Sequence, residues 1–135
     1  MLQPVVLDTD VASLIYKRRL PSQLSARLVG RRGVLSFVTL GELTKWVEVR
    51  QWGSVRRQEF SDWLSGFVVL PGDESVATTW ARLTASAQLR GRPGPQNDSW
   101  IAATCLTYDL PLATRNVKDY QGFADHNGLR LITVE

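Results

Sequence analysis

Gln3-Pro4-Val5-Val6-Leu7-Asp8-Thr9-Asp10 is the stretch from which the fold can be read. Three consecutive apolar residues, two of them β-branched, predict a strand with no polar face, and Asp8 stops it. Such a strand needs cover on both sides. The same pattern recurs outward from it, with further short β-branched or apolar runs at 34–38, 67–70, 112–114 and 129–134. Between them lie stretches of helical period near 11–18, 22–30, 40–51, 54–65, 74–90 and 98–108. Strands apolar on both faces and separated by helices predict a three-layer α/β/α sandwich around a central, mostly parallel sheet of about five strands. The one Pro/Gly-dense stretch, Gly91-Arg92-Pro93-Gly94-Pro95, falls between two helices and reads as a loop within one domain spanning 1–135.

At 135 residues and 44% hydrophobic content the chain can bury a core without a disulfide or zinc staple. A lone cysteine, Cys105, excludes an internal disulfide and cysteine-based metal sites, lies in an apolar helical stretch that predicts burial, and sets a reducing compartment as the default. The apolar run at 5–7 is too short for a signal peptide or a membrane span. Sixteen Lys and Arg against thirteen Asp and Glu leave a net charge of only +3. The charge is nevertheless segregated: residues 1–60 carry ten basic and five acidic side chains, residues 61–135 six and eight. Arginine, whose planar fork suits phosphate, supplies all but three of the basic residues.

In an open parallel sheet the ligand crevice lies outside the carboxyl ends of the strands. The residues predicted there are acids and an amide: Asp8 directly after the first strand, Glu42 one turn after the second, Asp98 opening a helix, and Asn116 with Asp119 after the fourth strand. Each has a purely structural explanation. Thr39 and Glu42 fit a capping box, Asp98 complements a helix dipole, and Asp8 or Asp10 suits an N-cap. Together, however, they converge on one end of one sheet, where like charges repel unless a cation sits among them. Oxygen donors without histidine or thiol suit Mg²⁺ or Mn²⁺, and such a site suits phosphodiester hydrolysis. His126 is the only histidine, which excludes a two-histidine nuclease and an H-E-x-x-H zinc site. No P-loop, G-x-G-x-x-G or G-x-S-x-G occurs.

In this order and spacing, Val5-Val6-Leu7-Asp8-Thr9-Asp10, Gly41-Glu42-Leu43, Asp98-Ser99-Trp100-Ile101-Ala102-Ala103-Thr104 and Thr114-Arg115-Asn116-Val117-Lys118-Asp119-Tyr120 resemble the PIN-domain family. Within it they resemble the VapC-type toxins of bacterial and archaeal toxin–antitoxin pairs, over nearly the whole chain. The resemblance implies a PIN-like fold, an acid cluster binding Mg²⁺ (or Mn²⁺), and endoribonuclease activity in the cytoplasm. Asp8, Glu42 and Asp98 match the family's metal-binding acids. At the fourth position, where many relatives have aspartate, this chain has Asn116, and Asp119 is the nearest carboxylate; the division of labour between the two stays open. Thr9, Ser99 and Thr114 are the hydroxyls expected to orient these acids. Arg18, Arg19, Arg27, Arg31 and Arg32 are expected along an RNA path or on a solvated face, with Arg115 beside the acids.

The resemblance also implies a small VapB-like antitoxin whose C-terminal arm covers the site, and a homodimer. Trp46, Val47, Trp52, Phe60, Trp63 and Leu64 offer apolar surface for either, or belong to the core. Two other readings stand beside the toxin: a housekeeping RNA-processing nuclease, and a non-catalytic PIN-like protein- or RNA-binding module suggested by Asn116.

Overall fold

The computed structural model describes residues 2–134. In chain order the elements are β1 (Gln3–Leu7), α1 (Thr9–Tyr16), α2 (Ser22–Arg27), β2 (Arg31–Ser36), α3 (Phe37–Val49), α4 (Ser54–Leu64), β3 (Val69–Leu70), α5 (Glu74–Leu89), α6 (Gln96–Tyr108), β4 (Leu112–Ala113), α7 (Val117–Asn127) and β5 (Leu131–Ile132). The strands form one sheet in the order β3-β2-β1-β4-β5, and every pairing is parallel.

The alternation along the strands decides which helices cover which face. Val6, Val34 and Leu112 point into a core built with α5, α6 and α7, including Leu83, Ile101 and Tyr120. Val5, Leu7, Leu35 and Ala113 point the other way, against α1 to α4 and the side chains of Val11, Leu24, Leu43 and Phe60. Two apolar layers around one sheet is the three-layer sandwich anticipated from the strand composition. Register places Gln3 opposite Arg31 and Leu7 opposite Ala113, so β1 and its neighbours end together at one edge.

Three local expectations change. The second strand starts three residues and ends two residues earlier than 34–38, because Ser36, its last residue, is an N-cap whose hydroxyl accepts from the Thr39 amide at 3.1 Å. The cap satisfies the first-turn N–H of Thr39, and this outweighs the strand propensity of Phe37 and Val38. Thr39 therefore lies inside α3, and no Thr39–Glu42 capping box forms. Likewise α6 starts at Gln96, so Asp98 sits within its first turn instead of opening it. Helix α7 was not anticipated at all: its core side, Tyr120 and Phe123, is narrow, and Gly122 interrupts it. Gly128, at φ +80°, ends it in the left-handed conformation that glycine adopts without strain.

The aromatic residues of α3 and α4 are mostly core. Val47, Trp52 and Phe60 are buried, while Trp46, Trp63 and Leu64 are half-buried. Tyr16 packs at their centre, 4.8 Å from Phe60 and 4.9 Å from Trp63 between ring centroids. The open apolar surface expected from that run is thus largely consumed in folding. No helix among the described residues is long and apolar enough to cross a membrane.

Cys105 lies wholly within the α6 side of the core, where burial pushes its thiol well above the ordinary value. In the native protein a disulfide reagent should label it at least about a hundredfold more slowly than in the denatured chain, because reaction requires opening of the core. Labelling at the denatured rate in native buffer would refute that burial.

Candidate active site

The strand ends deliver the polar groups. Asp8 follows β1 directly, is 6% exposed, and caps α1 by accepting from the Thr9 amide at 2.9 Å on Oδ1. The same oxygen accepts from the Tyr120 hydroxyl at 3.1 Å, and Oδ2 accepts from the Thr114 hydroxyl at 2.7 Å. Asp8 is thus both an N-cap and a fixed carboxylate facing the crevice. Burial raises its proton affinity, and the neighbouring Asp10 charge adds to this against the hydrogen bonds from Thr114, Thr9 and Tyr120.

Asp98 comes from α6 and meets the same Tyr120 hydroxyl at 3.1 Å. Its carboxyl is pushed up to about 6, chiefly by burial, with the Asp8 and Asp119 carboxylates adding to the shift and the Tyr120 hydrogen bond opposing it. Glu42 stands apart from this pair. Its Oε1 accepts from the Thr9 hydroxyl at 2.6 Å and its Oε2 from the Asn97 amide at 3.3 Å. Since Thr9 gives its only hydroxyl proton to Glu42, the 2.9 Å contact between Thr9 and Thr39 must be donated by Thr39. Thr39 in turn receives a longer bond from Ser36 at 3.4 Å. A chain of buried or half-buried hydroxyls thereby fixes the acid on α3 from beneath.

These acids open onto a cavity of about 620 Å³. Asp8, Asp10, Glu42 and Asp98 line it with Thr9, Ser13 and Asn116, while Lys17, Arg115, Leu43 and Trp46 complete its wall. The Lys17 ammonium sits 4.8 Å from the centre of the Trp46 ring. Burial raises the proton affinity of Asp10, and the Arg115 guanidinium opposes this, bringing positive charge to the same mouth.

Of the hydroxyls expected to orient the acids, Thr9 and Thr114 do so, whereas Ser99 donates to the Pro95 carbonyl at 2.8 Å. Asn116 lines the cavity and its amide donates to Asp119 at 2.5 Å, while Asp119 lies beside Asp98 on the far side of that amide. Asp119 thus touches both the Asn116 amide and the Asp98 carboxyl. The arginines divide. Arg18 and Arg19 are exposed in the turn after α1, just beyond the cavity lining, where Lys17 takes the place expected of them. Arg31 and Arg32 occupy the first positions of β2, opposite Gln3 and Pro4, at the edge of the sheet away from Asp8. Arg27 donates to the Thr133 carbonyl at 2.5 Å. Arg31 and Arg32 are thereby kept from the acids, because strand direction puts the start and end of a strand on opposite edges.

Sequence reasoning gave no role to Tyr120 or Lys17. A Tyr one turn into a helix of weak periodicity reads as core, and only the folding of α7 against β1 and α6 brings its hydroxyl to two acids.

The donor chemistry suits a hard divalent cation: carboxylate oxygens, an amide and hydroxyls, without thiol or imidazole. Among the described residues no group of three or more His, Cys, Asp or Glu stands close enough to hold an ion directly. Asp8 and Asp98, joined through Tyr120, are the two that fit, which suffices for Mg²⁺ because it keeps several waters and takes one or two carboxylates. Glu42 is held apart from this pair by the Thr9 hydroxyl and the Asn97 amide.

Because the folded protein holds the Asp98 proton more tightly than the unfolded chain, whose aspartate titrates near 3.8, this group favours folding most below about 4. The contribution is lost as pH rises through about 6. In EDTA the wild-type melting temperature should therefore fall between pH 4 and pH 6.5, and Asp98→Asn should flatten that fall and melt higher at pH 7. A steeper fall in the variant would contradict the assigned burial.

Comparison with known proteins agrees with the fold. The PIN domain matches residues 5–124. Ribonuclease VapC5 of Mycobacterium tuberculosis is 33% identical over 113 residues, 82% of each chain, and Ribonuclease VapC1 of Haemophilus influenzae (strain R2866) is 28% identical over 130 residues, 89% of this chain and 92% of its own. The structure of VapBC-1 from nontypeable Haemophilus influenzae superposes with a TM-score of 0.78 at 27% identity, covering 98% of both chains. With its acids at the carboxyl ends of an all-parallel sheet and a domain match over nearly its full length, the chain belongs to the PIN-domain family.

Proposed function

We propose that this protein is an Mg²⁺- or Mn²⁺-dependent endoribonuclease and the toxin of a type II toxin–antitoxin pair, acting in the cytoplasm. The observation that carries the reading is the Asp8–Tyr120–Asp98 arrangement at the carboxyl end of β1, opening onto a cavity whose mouth holds Lys17 and Arg115. The relatives named as VapC ribonucleases support the substrate class, and the VapBC complex supports a VapB-like partner.

Asp8 and Asp98 would hold the cation, with Glu42 and Asn116 lining the same cavity. Once bound, the ion supplies a Lewis acid and lowers the pKa of a water molecule for attack on phosphorus. Lys17 and Arg115 bind the phosphate and set its position relative to Asp8 and Asp98. Arg18 and Arg19 extend the same positive face beyond the cavity. Because these groups contact backbone and not base edges, they fix the strand without selecting sequence. The antitoxin's C-terminal arm covers this mouth, where Leu43 and Trp46 provide apolar contact beside the charges, and two copies of the chain pair as a homodimer.

Asp98→Asn should keep the fold and lose about a hundredfold or more in RNA cleavage, the several kcal/mol that a bound cation contributes. Loss of toxicity on induction should accompany it. Cleavage at the wild-type rate by a preparation free of contaminating nuclease would sink the reading. In an Asp98→Asn background, Lys17→Ala or Arg115→Ala should weaken single-stranded RNA binding and reduce its salt slope by about 1 each, whereas Arg32→Ala should leave both unchanged.

The neutral Asn116 favours one alternative, a binding module without catalysis. Millimolar Mn²⁺ decides between them: the nuclease gains thermal stability by mass action and the Asp8→Asn variant does not. No shift and no cleavage in the wild type would select the binding module.

A further inference from the structure

Asp8 and Asp98 reach the cavity from different elements, the end of β1 and the first turn of α6. Among the hydrogen bonds of the described residues, one group joins them: the Tyr120 hydroxyl, 3.1 Å from Oδ1 of each. We infer that Tyr120 is a positioning residue for the cation site, holding the two carboxylates at a fixed separation through its hydroxyl and so setting how tightly the divalent ion binds.

Three observations carry this. The Tyr120 ring is fully buried in the core that α5, α6 and α7 share, so the hydroxyl is aimed by packing and cannot swing to solvent. A phenol has one proton, so it can donate to only one of the two acids at a time. Two ionised carboxylates around it therefore remain under-compensated, and a cation supplies what the single donor lacks. Finally, the hydroxyl occupies Oδ1 of both acids while Thr114 occupies Oδ2 of Asp8, which restricts the orientation in which each carboxylate can meet an ion. Partners that orient metal ligands in this way commonly change metal affinity by about 10–100-fold when removed.

The role presupposes the cation proposed above at Asp8 and Asp98, and one experiment separates the two ideas. Mn²⁺ alone is titrated by calorimetry into wild type and Tyr120→Phe at pH 7.5, with near-UV circular dichroism confirming that both are folded. Phe keeps the ring that packs in the core and deletes only the bridge. The expected result is Mn²⁺ binding about tenfold weaker in the variant with an unchanged spectrum. A purely structural tyrosine would alter the melting temperature and leave the affinity of the folded protein where it was. Equal or tighter binding by Tyr120→Phe overturns the positioning role alone, and absence of Mn²⁺ binding by the wild type removes the cation site together with it.

Discussion

A carboxylate buried at the end of the central strand is the constraint on which the site is built. Asp8 cannot sit at 6% exposure unless its oxygens are satisfied, and three separate parts of the chain satisfy them: the Thr9 amide at the start of α1, Thr114 at the end of β4, and Tyr120 on α7. Each donor is placed by a different packing contact. β4 must pair with β1 in register for Thr114 to reach Asp8, and α7 must lie against α6 for Tyr120 to do so. The polar centre and the two apolar layers are therefore one arrangement, with the hydrogen bonds reporting that both layers have closed correctly.

The same closure concentrates negative charge. Burial first, and then neighbouring carboxylates (Asp10 beside Asp8, Asp8 and Asp119 beside Asp98), make both acids keep a proton more readily than a free aspartate, yet the tyrosine between them has one proton to offer. Nearby positive charge sits at the rim, in Lys17 and Arg115, and not among the acids. Such a distribution suits the partners of the proposed function, a divalent cation for the interior and phosphate for the rim. The net charge of +3 averages these two fields and conceals both.

How much was legible follows from the range of the interactions involved. Val5-Val6-Leu7 announces a doubly covered strand because burial on both faces is written in consecutive residues. Asp8, Glu42, Asp98 and Asn116 could be placed at the crevice because strand direction in a parallel sheet fixes which end they occupy. Boundaries were less legible, since whether 34–38 continued as a strand depended on one hydroxyl, that of Ser36, turning back to cap α3. Ser99 misled for a similar reason: it is next to Asp98 in sequence, but successive residues of a helix point about 100° apart, and its hydroxyl returns to Pro95. Charge along the chain misled most. Arg31 and Arg32 belong to the basic half in sequence, yet they begin the strand that ends beside the acids.

Sequence by itself determined the layered fold around a mostly parallel sheet, the crevice end of the sheet and most of the acids that reach it, because strand burial and helix periodicity are encoded in neighbouring residues. Only the tertiary structure decided which acids form the central pair and what holds them. Tyr120 lies 112 residues from Asp8 and 22 from Asp98, and no local pattern specifies a contact across such separations. It arises when α7 packs on the closed core and leaves a rigid ring with its hydroxyl nowhere else to point.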